Sequence, residues 1–98
     1  AAKAAIIGFS KSVAAYYAKD NIRINVIAPA LVETPMAQRA AKDEEILEFI
    51  KGKQPLDGGR IGQPEDLDAL AVYFMSNGSA YTTGQVVAVD GGWSVTEG

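Results

Sequence analysis

Ninety-eight residues, 48% of them apolar and 21% charged, are enough for one small globular domain and do not resemble a disordered tail. The net charge of −3, without a run of Lys or Arg, argues against nucleic acid as a partner and against a polybasic membrane patch. The absence of Cys and His excludes thiolate chemistry, an imidazole base and an ordinary zinc site.

The N-terminal region predicts one long helix. Residues 2 to 19 are rich in Ala, and larger apolar residues recur among them at helical spacing. No capping residue precedes this helix, so we expect it to have begun upstream of Ala1. The region lacks the charged segment and cleavage site of a secretory signal, and every apolar stretch is too short to span a bilayer. We therefore expect a cytoplasmic protein without a membrane partner.

The next segments predict a strand followed by short helices. Residues 22 to 28 are largely β-branched and end at Pro29, which predicts a buried strand. Thr34 followed by Pro35 predicts the start of a short helix, because a threonine hydroxyl caps free amides and proline fits the first helical position. Residues 43 to 52 predict a further helix that begins with acidic residues and ends at a glycine.

The C-terminal third predicts a helix and a second strand. A glycine-rich, irregular segment over residues 52 to 63 leads to Pro64, which opens a helix that should end at Asn77 and Gly78. Residues 85 to 89 then predict a second buried strand. A strand, helices and a strand form a βαβ unit with parallel strands. Parallel strands need cover on both faces, so we expect an incomplete doubly wound α/β domain.

Several short motifs, in this order and spacing, together resemble the short-chain dehydrogenases/reductases. They are Ala1-Ala2-Lys3-Ala4-Ala5, Asn25-Val26-Ile27-Ala28-Pro29, Val32-Glu33-Thr34-Pro35, Gly62-Gln63-Pro64-Glu65-Asp66, Thr83-Gly84-Gln85 and Val89-Asp90-Gly91-Gly92. The resemblance implies the C-terminal part of a Rossmann-like doubly wound parallel sheet, with its last two strands and flanking helices. Residues 1–98 would be the C-terminal portion of a single domain, starting inside the active-site helix.

The resemblance also implies an oxidoreductase that transfers a hydride between NAD or NADP and an alcohol or ketone. In the family a Tyr-x-x-x-Lys pair exchanges a proton with the substrate oxygen, and Lys3 matches the lysine of that pair. Its ammonium would favour the phenolate of a tyrosine two positions before Ala1, and would hold the nicotinamide ribose. The alternative is that Lys3 is one more solvated helix lysine.

The loop after the first predicted strand matches the nicotinamide-binding loop of the family. The resemblance implies cofactor contacts from Pro29, Ala30, Val32 and Thr34, with main-chain groups of Val32 holding the carboxamide. Thr34 would bond the carboxamide or a phosphate, although simple helix capping is an alternative role for it. The family usually has Gly where this sequence has Ala30, so the loop either keeps a negative φ there or lies farther from the nicotinamide.

Residues 35 to 60 match the substrate lid, so Met36, Ala37, Ile46 and Phe49 are candidate substrate contacts. Packing between two small amphipathic helices is an equally good account of them. The family also implies a homotetramer formed through the last helix and strand, and we expect Trp93 to pack against a neighbouring subunit.

Two other functions are also compatible with the sequence. A nucleotide-binding or structural relative would keep the fold without the tyrosine, and Ala30 would then be an early sign of divergence. A small interaction module made of these 98 residues alone would conflict with strands that need cover. Because the glycine-rich dinucleotide loop, the catalytic serine and the tyrosine are not in the sequence, we expect the 98-residue segment alone to be inactive.

Overall fold

The structure, a computed structural model, describes residues 2–35, 38 and 42–96 and is of the α/β class. Its main elements are α1 (Ala2–Tyr17), β1 (Val26–Pro29), α2 (Glu44–Lys53), α3 (Asp68–Met75) and β2 (Val86–Val89). The chain divides into two compact units. The first contains Ala1–Ile27 and Ala69–Val87, and the second contains Ala28–Asp68 and Ala88–Gly98.

The predicted N-terminal helix is confirmed. It runs as α1 to Tyr17 and tightens into a 3₁₀ turn over Ala18–Asp20. Asn21 follows with a left-handed φ of 62°, and its amide donates to the Ala18 carbonyl at 3.0 Å. Asparagine tolerates this conformation better than most residues, so it ends the helix and redirects the chain toward β1.

The two predicted strands are hydrogen-bonded neighbours and run in parallel. The Gly84 amide donates to the Ile24 carbonyl at 2.8 Å, and the Val26 amide donates to the Gln85 carbonyl at 2.8 Å. The paired residue numbers increase together along both strands, which is the parallel sense. The predicted α/β class and parallel strand pair are therefore confirmed.

The first strand begins later than predicted, at Val26 instead of Ile22. Before that point the bond from the Gly84 amide to the Ile24 carbonyl is the one backbone pairing described, and side chains make the other bonds. The Ile24 amide donates to the Thr83 hydroxyl at 3.1 Å, while the Asn25 carboxamide donates to the Thr82 carbonyl and accepts from the Gln85 amide. These side-chain bonds satisfy backbone groups that a regular strand would pair with its neighbour, and the apolar pattern of the segment could not reveal them.

Arg23 holds the end of α3 in the first unit. Its guanidinium donates to the carbonyls of Phe74, Ser76 and Ser79, and also to the Ser79 hydroxyl. Ser79 is fully buried. The last carbonyls of a helix have no partner within the helix, so one planar, multiply donating cation satisfies several of them at once.

The helix predicted over residues 43 to 52 is confirmed as α2 in the second unit. The Asp43 carboxylate accepts from the amides of Glu45 and Ile46, which is N-capping with acidic residues at the positive end of the helix. Gly52 does not end the helix. The Gln54 amide still donates to the Ile50 carbonyl at 2.8 Å, so α2 continues to Lys53.

Arg60 organises the turn before α3. It bonds Asp57 at 2.6 Å and both carboxylate oxygens of Asp66 at 2.7 and 3.0 Å. Asp66 also accepts from the Gln63 amide at 2.7 Å, at the start of a 3₁₀ turn over Pro64–Leu67 that leads into α3. The hydrogen bond from Arg60, aided by that amide, lowers the pKa of Asp66 to about 2.

Few apolar side chains are buried. Among the described residues the buried apolar side chains are Ala14 and Ile50. On β2, predicted to be buried, Val87 and Ala88 are exposed. Strands of a parallel sheet are normally covered on both faces, but the prediction that this strand is buried is wrong for Val87 and Ala88. In the part of the chain that the structure describes, no helix combines the length and apolar character needed to cross a membrane.

We expect Arg23→Met to lower the free energy of unfolding by about 2 kcal/mol, because it leaves several carbonyls at the end of α3 without a donor. Arg23→Lys should lose about half as much, because an ammonium lacks the planar fork. Urea denaturation of the protein that carries this chain would measure both. Arg60→Met is the matched control, since exposed ion pairs contribute little. An equal effect of both Met variants would contradict the assigned role of Arg23.

The ion pair at Asp66 predicts a pH dependence. The pKa of Asp66 lies below its ordinary value of 3.8, so its contribution to stability is present above 3.8 and is lost as the pH falls through about 2. NMR titration of the Asp66 carboxyl carbon should give a pKa near 2. In Arg60→Met that pKa should rise toward 3.8, and an unchanged titration curve would show that Arg60 is not the cause.

Candidate functional site

The loop after β1 is held in the second unit by a parallel bridge between Val32 and Gly62. The Gly62 amide donates to the Leu31 carbonyl at 3.0 Å, and the Gly62 carbonyl accepts from the Glu33 amide at 2.7 Å. In an extended segment the peptide groups of successive residues point to opposite sides. The N–H and C=O of Val32 are therefore directed away from Gly62.

A second residue, Gln54, pairs with the same loop. Its carboxamide oxygen accepts from the Leu31 amide at 3.2 Å, and its nitrogen donates to the Leu31 and Arg60 carbonyls, each at 3.2 Å. The residue is only 2% exposed, and these contacts use both ends of its amide. Gln54 thus pairs with Leu31 much as a neighbouring strand residue would.

Two glycines allow these close approaches. A Cβ on Gly62 would lie 3.2 Å from the Leu31 carbonyl oxygen, which is tighter than an ordinary contact. Gly91 has a φ of +62°, and a Cβ there would lie 3.0 Å from the Cβ of Gln54. A side chain at Gly91 would therefore both strain the backbone and displace Gln54.

The turn that contains Gly91 is held by Asp90. The Asp90 carboxylate accepts from the amides of Gly92 at 3.0 Å and Ser94 at 2.9 Å. Desolvation alone would raise the pKa of Asp90, but hydrogen bonds from Ser94 and Gly92 outweigh it and lower the pKa. Asp90 is therefore a structural carboxylate that stays ionised and keeps this turn beside Gln54.

A small cavity borders the loop. It is lined by residues 30–32, by Gln54, Gly62 and Gly91, and by side chains that include Leu56 and Leu67. Its volume of about 160 Å³ is below the range of about 300–1,000 Å³ that is typical of sites for drug-sized ligands. The cavity by itself is therefore too small for a whole ligand of that size.

The predicted cofactor-binding residues of the loop differ in exposure and in their position relative to the cavity. Pro29 ends β1 and is exposed, Ala30 and Val32 line the cavity, and Thr34 lies exposed immediately before Pro35. Ala30 has no positive φ, since the non-glycine residues of the described chain with positive φ are Asn21 and Asp57. Of the two possibilities left open for Ala30, the loop takes the negative-φ conformation, which Ala adopts without strain.

The candidate lid residues are only partly within the described structure. Met36 and Ala37, and most of the helix predicted after Pro35, lie outside the described residues. Ile46 and Phe49 are exposed on α2, whose buried residue is Ile50. Phe49 is 52% exposed, and its ring meets Trp93 edge-on with 6.1 Å between centroids. Packing therefore accounts for part of the Phe49 surface, while the rest is accessible.

Lys3 lies in the first turn of α1, in the first unit, and its side chain is outside the part of the chain that the structure describes. The loop residues and Gln54 lie in the second unit. The structure therefore brings together Ala30, Val32 and Gln54, and the role of Lys3 stays a prediction.

Sequence reasoning missed Gln54. Residues 52 to 63 were predicted to be irregular, and the one local signal was a long polar side chain directly before Pro55, where the backbone is biased toward extended conformations. Nothing in that pattern shows that the side chain turns inward to pair with Leu31, 23 residues earlier in the chain.

Comparison with known proteins agrees with this architecture. The family described as Enoyl-(Acyl carrier protein) reductase matches residues 1–94. The 3-oxoacyl-(acyl-carrier-protein) reductase FabG of Chlamydia trachomatis is 47% identical over 92 residues, which cover 94% of this chain and 36% of that protein. The chain thus spans about a third of the length of the curated relatives it matches.

Solved structures show the same relation. A 4-hydroxyisoleucine dehydrogenase complexed with NADH is 30% identical with a TM-score of 0.90, over 97% of this chain and 38% of that one. A short-chain type dehydrogenase/reductase from Mycobacterium ulcerans is 28% identical with a TM-score of 0.90, over 98% of this chain and 34% of that one. On these matches, which extend over nearly all of its residues, the chain belongs to the short-chain dehydrogenase/reductase family.

Proposed function

We propose that the protein carrying this chain is an NAD- or NADP-dependent oxidoreductase that transfers a hydride between the nicotinamide and an alcohol or carbonyl substrate. Residues 1–98 would form the C-terminal portion of its single domain. Family membership supports the class of reaction, and a relative of the same fold is complexed with NADH. Because the chain spans about a third of its relatives, the activity belongs to the whole protein.

The observation that carries the proposal is the direction of the Val32 main-chain groups. The bridge to Gly62 occupies one side of the loop and directs the N–H and C=O of Val32 to the other. One donor and one acceptor on the same residue complement a primary carboxamide, which itself has an acceptor oxygen and an NH₂ donor. The donor set therefore fits the nicotinamide carboxamide.

Pro29, Ala30 and Thr34 would complete the cofactor-binding loop in this proposal. Pro29 and Ala30 would form the start of this loop and contact the cofactor. The Thr34 hydroxyl would bond the nicotinamide carboxamide or a phosphate. The position of this loop supports the assignment, because ligands of open α/β sheets bind beyond the carboxyl ends of the strands. The loop begins where β1 ends, at Pro29.

Lys3 would act on the catalytic acid. Its ammonium would lower the pKa of a tyrosine one helical turn earlier and would hold the nicotinamide ribose, while the bound coenzyme supplies or accepts the hydride. A spacing of four residues puts two side chains on the same face of a helix, and Lys3 lies within α1. The position of Lys3 in α1 therefore supports a pairing of Lys3 with a tyrosine four residues earlier.

The substrate class is an alcohol or carbonyl compound, ranging from a sugar derivative to an acyl thioester. Met36, Ala37, Ile46 and Phe49 are the proposed contacts of the lid. The accessible surfaces of Ile46 and Phe49 support this role, since both apolar side chains remain exposed on α2. The relative from Chlamydia trachomatis is named for a 3-oxoacyl substrate carried by a protein.

A non-catalytic nucleotide-binding or structural relative is the second candidate. The sequence feature that favoured it was Ala30, read as divergence from a glycine that needs a positive φ. Because Ala30 keeps a negative φ, this substitution strains nothing and no longer points to lost function. The redox proposal is therefore the better supported of the two.

The test is coenzyme oxidation or reduction by the purified whole protein, assayed with a panel of carbonyl and alcohol substrates. We expect Lys3→Met to lower kcat by about 10²–10⁴-fold, the range for a lost acid–base contribution. Lys11→Met is the matched control, because Lys11 is an exposed lysine of the same helix. Equal activity of the two variants would contradict the role of Lys3, and coenzyme binding without any turnover would favour the non-catalytic candidate.

We also propose a cytoplasmic homotetramer assembled through the last helix and strand. Exposed apolar side chains on these elements support an interface, since Val72 and Met75 of α3 are 62% and 78% exposed and Val87 of β2 is also accessible. Trp93 already contacts Phe49 and Lys53 within the chain, so only its remaining surface would meet a neighbouring subunit.

Light scattering coupled to size exclusion should give a tetramer for the whole protein and a smaller assembly for Met75→Asp, because a carboxylate would be buried at the proposed interface. Tyr81→Asp, at a fully exposed residue outside both elements, is the control and should stay tetrameric. A monomeric wild-type protein would rule out the proposed assembly.

A further inference from the structure

We propose that Gln54 is a positioning residue, which sets the direction in which Val32 presents its main-chain N–H and C=O to the carboxamide of a nicotinamide coenzyme. This inference rests on the proposed function. It adds a residue outside the loop itself, located where α2 ends.

The peptide plane between Leu31 and Val32 explains how Gln54 acts. A trans peptide is rigid, and its C=O and N–H point in opposite directions. The Leu31 carbonyl accepts from the Gly62 amide at 3.0 Å and from the Gln54 carboxamide at 3.2 Å. Holding this carbonyl with two donors on one side fixes the N–H of Val32 on the other side.

The following peptide plane is fixed in a similar way. The Glu33 amide donates to the Gly62 carbonyl at 2.7 Å, which directs the C=O of Val32 away from Gly62. Gln54 also accepts from the Leu31 amide, so it restrains the preceding peptide plane as well. The Val32 N–H and C=O, which are proposed to bind the nicotinamide carboxamide, each belong to a peptide plane. The opposite groups of these planes, the Leu31 carbonyl and the Glu33 amide, are held by Gly62 and, for Leu31, also by Gln54.

Burial makes the contribution of Gln54 specific. Its side chain is 2% exposed, and its third contact, to the Arg60 carbonyl, fixes the position of its nitrogen. Gly91, in the turn after β2, packs against Gln54. Asp90 stays ionised and holds this turn through its bonds to the Gly92 and Ser94 amides. A different rotamer of Gln54 would leave its buried side-chain amide without hydrogen-bond partners, so the Gln54 carboxamide has one favourable orientation.

Gln54→Met separates positioning from packing. Methionine has a similar length and volume but no amide, so the buried space stays filled while the bonds to Leu31 and Arg60 are lost. The bridge to Gly62 remains and keeps the loop folded. We therefore expect a loop that stays folded but whose Leu31–Val32 peptide is held by the Gly62 amide alone and is less firmly oriented.

The first experiment measures dissociation constants by calorimetry on the whole protein, for NAD or NADP and for the matching ADP-ribose, which lacks the nicotinamide. We expect Gln54→Met to weaken binding of the complete dinucleotide about tenfold, the equivalent of one well-formed hydrogen bond. Binding of the ADP-ribose should stay within about twofold, because Gln54 acts on the loop that meets the carboxamide. Gln85→Met, at an exposed glutamine of the first unit, should change neither constant.

A second readout needs no coenzyme. Amide hydrogen exchange of Leu31 should become about tenfold faster in Gln54→Met, because the acceptor of this amide is removed. Unchanged Leu31 exchange, or an equal loss of affinity for the dinucleotide and the ADP-ribose, would overturn the positioning role. A wild-type protein that binds no nicotinamide dinucleotide would overturn the proposed function instead, and Leu31 exchange would still report whether Gln54 holds the loop.

Discussion

A loop that recognises a ligand through its backbone has to leave some peptide groups available while it keeps the others paired. Buried or half-buried peptide groups are costly without partners, so such a loop needs a fixed neighbour on one side only. In this protein the neighbour is a composite of the Gly62 backbone and the Gln54 carboxamide, which pair with Leu31 and Glu33. The orientation of Val32, and with it the proposed coenzyme contact, depends on that one-sided pairing.

Much of the second unit is arranged to keep this neighbour in place. Asp43 caps α2 at one end, and at the other end the Gln54 amide completes the last turn of the helix, so the side chain of Gln54 starts from a defined position. Gly91 lets the second-strand turn approach Gln54, and Asp90 holds that turn. Each contact is modest, but together they leave the carboxamide a single favourable position.

The sequence predicted the parts of the fold that follow from local rules. The acidic start of α2, the proline that opens the segment before α3 and the parallel strand pair all agree with the structure. Predictions failed where a side chain replaced backbone pairing. The Asn25 side chain bonds Thr82 and Gln85 where a regular strand would use its backbone, so β1 starts later than predicted. The Gln54 side chain likewise bonds the Leu31 backbone in place of a neighbouring strand. Both pairings join residues far apart in the chain, which neither periodicity nor propensity can detect.

The substitution at Ala30 shows why a departure from a family pattern needs the local conformation before it is interpreted. The sequence alone allowed either a negative φ at Ala30 or a loop farther from the nicotinamide, since alanine at positive φ costs energy. The structure has a negative φ at this residue, and the pairing of Leu31 with Gln54 begins immediately after it. The conformation of the loop is thus fixed by the bonds from Gln54 and Gly62 to Leu31 and Glu33, and a glycine at position 30 is not needed. Ala30 is then one of the residues that line the cavity, and the bonds that orient Val32 are made by its neighbours Leu31 and Glu33.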